Sequence, residues 1–271
     1  MPLALSNILW PAALDDAALV AVRDAGATGI EVAPTRVAPW DELTPEKLRL
    51  YRQRLAGLGL CIPSMQAILF GKPEAQLFGD AMQVQQLTDH LIWMADCANE
   101  LGATKLVFGA PKNRLRGSLV FEEAIKLAAE RLLPIASAYA ERGVTLVIEA
   151  VPTLYGADFL HTAAEVAMLV RTIHHVGLQL HLDCGALLLS EEDVAVTVAA
   201  QADILAHVHL SRPQLKPITL LPLDGALASA LSVADYRGWL SIEIGPQDDA
   251  LPIIAQSIAV ARQAYAPFLV S

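Results

Sequence analysis

The stretch TLVIEAVP, residues 145–152, has the composition of a buried strand interrupted by one charged side chain. Thr145, Val147, Ile148 and Val151 are β-branched, and a short apolar run between turn residues fits a parallel strand covered on both faces. Glu149 stands inside it. A carboxylate is almost never buried unless a cation or a bound metal compensates it. The residue therefore raises the question of a site.

Similar runs recur along the chain. They are ALSNILW (4–10), GIEVAPT (29–35), CIPSMQAIL (61–69), KLVFGAP (105–111), TLVIEAV (145–151), LQLHLDCG (178–185), ILAHVHLS (204–211) and WLSIEIG (239–245). Between them lie amphipathic stretches such as EEAIKLAAERLLPIASAYAERG (122–143), with apolar residues at spacings of three and four. Pro134 should kink or split that helix. Gly26, Gly59, Gly102 and Gly143 fall where helices should end before the next strand. Eight β-then-α units in 271 residues match a (β/α)₈ TIM barrel, an α/β fold of this length. No linker or low-complexity tract breaks the pattern, so residues 1–271 read as a single domain. The competing doubly wound sheet lacks its usual GxGxxG turn after the first strand.

Composition narrows the function. The net charge is −10 and the pI about 5.1, against the basic excess of a nucleic-acid-binding surface. No window holds ~18 uninterrupted apolar residues, so no membrane span is expected, and the first residues lack the basic start of a secretory signal. Cys61, Cys97 and Cys184 have no metal-type spacing, which suits a reducing, cytoplasmic setting. With 54% apolar residues and a mean hydropathy of +0.43, some apolar surface is expected to be shared in a homo-oligomer.

Glu149 has counterparts on the strands that follow. Asp183, His209 and Glu243 fall late in strands six, seven and eight, each about one β/α unit apart. Alternation places each opposite its apolar neighbours, among them Ile148, Leu182, Val208 and Ile242. All four should point into the barrel mouth, where such barrels carry their active sites. Three carboxylates and an imidazole sharing a dry cavity need a cation, or some of the acids must stay protonated. One divalent ion meets the need. Oxygen-rich ligands with one nitrogen suit Mn²⁺, Mg²⁺ or Co²⁺, and Zn²⁺ is admissible.

At these residues the sequence resembles the xylose isomerase-like TIM barrels, in particular their ketose 3-epimerase and hydroxypyruvate isomerase-like branch. The resemblance spans nearly the whole chain. It is strongest in IEAVPTLYGADFL (148–160), LHLDCGALLL (180–189), HVHLSRP (207–213) and YRGWLSIEI (236–244). It implies that Glu149, Asp183, His209 and Glu243 bind one metal ion, as their counterparts do in the epimerases. Two departures touch the substrate contacts. Ala186 stands where many epimerases have a histidine three residues after the aspartate. Leu215 stands where they carry an arginine, with Arg212 and Lys216 nearby.

Other candidates surround this set. His181 and His207 precede Asp183 and His209 by two residues and should lie one layer deeper, orienting the ligands. FGAPKNRLRG (108–117) puts Lys112, Arg114 and Arg116 after strand four, where Lys112 and Arg114 could hold an anionic group of a substrate. Arg212 is a weaker candidate of the same kind. Glu31, late in strand two, is expected either to pair with a cation or to bind substrate hydroxyls.

A divalent ion beside two glutamates suits proton abstraction next to a carbonyl, with an enediolate stabilised as charge develops. Glu149 and Glu243, from strands roughly across the mouth, are the expected acid–base pair. The expected activity is a metal-dependent isomerase or epimerase acting on a sugar or sugar derivative. A lyase or dehydratase of the same fold is the alternative, and an endonuclease IV-type nuclease a more distant one.

Overall fold

A computed structural model of the protein describes residues 2–266. Eight parallel strands, β1 (Leu3–Ser6), β2 (Gly29–Glu31), β3 (Ser64–Met65), β4 (Lys105–Phe108), β5 (Thr145–Glu149), β6 (Leu178–Asp183), β7 (Leu205–Leu210) and β8 (Leu240–Ile242), alternate with helices. They form one sheet in the order β2-β1-β8-β7-β6-β5-β4-β3. The two ends meet through parallel bridges, Gly29 to Cys61 and Val32 to Met65, so the sheet curls into a nearly closed (β/α)₈ barrel.

Seven of the eight strands lie within the runs expected from the sequence, and β1 starts one residue earlier, at Leu3; all are shorter than expected. Their expected ends supply the loops at the mouth, where ladder pairing stops and side chains become available for a site. The outward residues Ile148, Leu182, Val208 and Ile242 are buried in the core cluster with the helices. Full burial of such a side chain contributes about 1.5–3 kcal/mol, which fixes the parity of each strand. The inward set is thereby fixed as well.

The helices are α1 (Asp15–Ala25), α2 (Pro45–Gly57), α3 (Ala81–Leu101), α4 (Phe121–Glu141), α5 (Ala163–Ile173), α6 (Cys184–Leu189), α7 (Val194–Gln201), α8 (Pro222–Val233) and α9 (Ala250–Tyr265). In α4 the buried residues Ala124, Ile125, Ala128, Leu132, Ile135, Ala136 and Tyr139 repeat at three and four. Pro134 lies inside α4 without splitting it. It is on the exposed face, where water can reach the carbonyl that loses its N–H partner. Gly26 and Gly102 cap α1 and α3 in the left-handed conformation, at φ 91° and 78°, which a side chain would resist. The three cysteines are free thiols. Among the described residues, no helix is long and apolar enough to cross a membrane.

Candidate active site

Strand register decides which inward side chains meet. Glu149 on β5 is level with His181 on β6. His181 is level with His207, and Asp183 with His209, on β7; His209 is level with Ser241 on β8, two residues before Glu243. The inner face of these strands is therefore polar, with carboxylates above and imidazoles among and below them.

Within it, ligand atoms of Glu149, His181, Asp183 and His209 lie within 4.8 Å of one another, as do those of His181, His207 and His209. Glu243 joins through Oε2, 3.2 Å from His209 Nδ1. The structure thus brings together all four residues expected to bind metal. It also draws His181 closer than expected: its ring is 4.1 Å from that of His209, and neither of its buried nitrogens has a hydrogen-bond partner.

The electrostatics of this group call for a cation. Burial, reinforced by the charges of Asp183 and Glu243, holds the Glu149 carboxyl well above its usual range. Burial and Glu243 lift Asp183 to about 6. Burial would depress His209, but Glu31 and Glu243 on its two sides overcome this and raise it well above the ordinary imidazole value. His181 is pushed well down, by burial first and then by its two histidine neighbours. Acids that retain protons, and an imidazole with unused nitrogens, are what this donor set becomes without a divalent ion. The residues fit one.

Asp183 is held from two sides. Its Oδ2 accepts from Ser211 Oγ at 2.5 Å, and its Oδ1 accepts from the Ala186 N–H at 2.7 Å, capping α6. Ser211 in turn accepts from the Gly185 N–H at 2.8 Å. Glu149 lies against Gly109, where any Cβ would overlap its Oε2. Neither neighbour was singled out in the sequence. Ser211 had a signal, since it shares the inward parity of His209; Gly109 had none.

Glu31 sits below this level, not in the mouth. It is 0% exposed and does not line the cavity, because Ser64, His207 and His209 enclose its carboxylate. Its Oε2 accepts from Ser64 Oγ at 2.6 Å and bonds to His207 Nε2 at 2.8 Å. Its Oε1 lies 2.8 Å from His209 Nε2, close enough for a strong ionic contact although the N–H is not aligned for a hydrogen bond. Burial alone would raise the Glu31 carboxyl; the two histidines hold it well below its usual value. The partner expected for it was Lys or Arg, and the structure supplies imidazoles instead.

A cavity of about 680 Å³ opens above the carboxylates. Glu149, Asp183 and Glu243 reach it, with the loops after β3, β4, β5 and β7 as walls. Lys112 lines it as expected. Arg114, expected beside Lys112 on the rim, is only 1% exposed. The short helical turn Pro111–Asn113 carries the chain down, so that the guanidinium donates to the Glu149 carbonyl at 2.6 Å and lies over the Phe108 ring. Burial lowers its pKa to about 10, opposed by Glu149, so it remains charged at neutral pH. Arg212 lines the cavity but donates to Asp224 at 2.6 Å and to the carbonyls of Ser211 and Thr219.

Solved structures of similar shape share this barrel. A D-psicose 3-epimerase from Clostridium cellulolyticum H10, determined with D-tagatose, superposes with a TM-score of 0.81 at 12% identity over 100% of both chains. A D-allulose 3-epimerase from Methylomonas sp. with D-allulose gives 0.77 at 19% identity, covering 98% of this chain and 97% of that one. A 3-keto-D-glucoside 4-epimerase from E. coli gives 0.75 at 15%, covering 97% and 99%. At these identities the likeness is one of fold. No curated protein matches the sequence. The family profile described as Xylose isomerase-like TIM barrel matches residues 19–264, and on that match the protein belongs to the xylose isomerase-like TIM barrel family.

Proposed function

We propose that the protein is a divalent-metal-dependent isomerase or epimerase that moves a proton next to the carbonyl of a sugar or sugar derivative. One observation carries this: Glu149 and Glu243, from strands separated by β6 and β7, both reach one cavity above a buried Asp–His group. The similar folds that bind D-tagatose and D-allulose support a ketose-like substrate.

Glu149, Asp183, His209 and Glu243 would hold the ion, with His181 beside them and Glu31 behind His209. The ion, when bound, would stabilise the negative charge that develops on the carbonyl and adjacent hydroxyl oxygens. The chain supplies the proton transfers. Glu149, whose proton affinity is raised by burial and by the charges of Asp183 and Glu243, is suited to take a proton from carbon. Glu243, on the other side of the mouth, would return one. Transfer to the opposite face of the same carbon is epimerisation, and transfer to the neighbouring carbon is isomerisation. Lys112 is proposed to meet an anionic group of the substrate; the lysines found in ion pairs among the described residues are Lys47 and Lys72. A homo-oligomer is part of the same proposal, checked by light scattering at micromolar concentration.

The test is to incubate the metal-loaded protein with a panel of ketoses and keto-sugars in D₂O. Deuterium entering a carbon next to the carbonyl, with epimer or isomer formed, supports the proposal. Loss of a hydroxyl as water identifies a lyase instead, and the absence of any exchange across the panel rejects proton-transfer chemistry.

A further inference from the structure

The cavity is larger and less polar than a free hexose requires. Its volume of about 680 Å³ is in the range of pockets that enclose drug-sized ligands. A hexose has twelve non-hydrogen atoms. Even at the ~30 Å³ that each water molecule occupies in the liquid, they would fill only about half the space.

Apart from Lys72, Lys112 and the polar side chains named below, the walls above the carboxylates are apolar. Ile68, Leu69 and Phe70 form one side, with Val151 and Leu215 on others. Phe70 is 70% exposed, and its backbone carbonyl accepts from the Trp40 indole N–H at 2.8 Å, which holds the main chain at that point. An exposed aromatic side chain at the mouth of a cavity offers a surface for apolar contact.

Polar side chains in the same walls are largely committed to the protein. Asn113 gives its amide hydrogens to the carbonyls of Lys72 and Ala75. Gln66 donates to Ser6 Oγ. Arg212 is spent on Asp224 and two carbonyls. The Tyr155 hydroxyl accepts from the Gln214 N–H. Hydroxyls of a free sugar pressed against these walls would lose water without gaining partners, which is unfavourable.

We infer that the substrate is a keto-sugar carrying an apolar alkyl or aryl substituent. Its polyol head meets the carboxylate floor, and its tail lies against Phe70, Ile68 and Leu215. The identity of the head rests on the proposed isomerase or epimerase function; the tail follows from the walls alone.

Calorimetric binding of a ketohexose and of its 1-O-benzyl and 6-O-benzyl ethers to the metal-loaded protein tests this. At least one ether should bind tenfold or more tighter than the parent sugar. Phe70→Ala and Leu215→Ser should each remove most of that preference while leaving affinity for the parent within about twofold. Equal binding of ethers and parent, exclusion of both ethers, or a preference that survives both substitutions overturns the inference. Deuterium exchange separates its failure from that of the proposed reaction. An ether that binds tightly but exchanges no carbon-bound hydrogen leaves the tail assignment standing and the chemistry rejected. Exchange on the free sugar with no preference for the ethers does the reverse.

Discussion

Glu31 Oε1 lies 2.8 Å from His209 Nε2, on the side of the imidazole opposite Glu243. A carboxylate there favours a proton on Nε2 and leaves the Nδ1 lone pair facing Glu243 and Asp183, as metal-binding histidines are commonly oriented. Glu31→Gln should therefore weaken divalent-metal affinity by about 10–100-fold while leaving the fold intact. Chelator competition measures the affinity, and urea unfolding of the metal-free protein serves as the control. Unchanged affinity would remove Glu31 from this role. Two ions per chain, one of them lost in His207→Ala, would make the histidine cluster a ligand set of its own.

The proposed ligands give a second expectation. Asp183→Ala and His209→Ala should each abolish stoichiometric binding of a divalent ion, with circular dichroism close to that of the parent. Asp183 carries the sharper test, because its side chain lines the cavity, so water can take the place of the carboxylate beside Ser211 Oγ and the Ala186 N–H. Full occupancy in both variants would rule out the assignment.

The pH dependence of metal binding follows from the raised donors. Asp183, at about 6, and Glu149, held higher than usual, keep protons that an ion must displace. In the metal-free protein the native state binds more protons than the unfolded chain between the ordinary Asp value near 3.8 and about 6. The contribution of Asp183 to stability is thus present at low pH and is lost as pH rises through that window. His181 and His207, pushed down by burial, act in the opposite sense, so loaded and metal-free protein must be compared at each pH. The rise in Tm on adding metal should be larger at pH 7.5 than at pH 5.5, and Asp183→Asn should flatten the difference. A rise independent of pH would mean that the donors are already deprotonated.

The barrel and its parity were legible because burial imposes them. Ile148, Leu182, Val208 and Ile242 had to face the helices, so Glu149, Asp183, His209 and Glu243 had to face inward. What the sequence left open is depth. Glu31 and Glu149 look alike in their strands, but Ser64, His207 and His209 close over Glu31 while Glu149 reaches the cavity, and which side chains other strands bring alongside is not written in either strand. Arg114 misled for a related reason: a loop rich in cations reads as solvated, and only the turn at Pro111–Asn113 carries one guanidinium inward while Lys112 stays at the cavity. Gly109 marks the same limit, since its small size matters only once β4 and β5 are placed side by side.

Gly109→Ala tests that placement. A methyl group there would overlap Glu149 Oε2, so the carboxylate must move by a fraction of an ångström or more. Displacements near 1 Å can cost ~10²-fold in rate. Carbon–hydrogen exchange in D₂O should fall by one to two orders of magnitude, while Tm changes little. Normal exchange would mean that Glu149 has another rotamer that serves equally well.

Lys112 and Arg114, two residues apart, should behave as different kinds of residue. Lys112 lines the cavity, and a charge-assisted contact to a substrate anion there would contribute about 1.5–3 kcal/mol, before screening at an open rim reduces it. Lys112→Ala should lower kcat/KM for a phosphorylated or carboxylated keto-sugar by about tenfold and leave a neutral one unaffected, with the loss shrinking as salt rises. Arg114→Ala removes the donor to the Glu149 carbonyl and leaves a cavity beside Phe108. It should lower stability in urea and depress turnover of charged and neutral substrates alike, because Glu149 loses the guanidinium charge that offsets part of its burial and is raised further. If Lys112→Ala affects neutral and anionic substrates equally, the cavity has no anion site at that position. If Arg114→Ala discriminates between them, the buried guanidinium reaches the substrate after all.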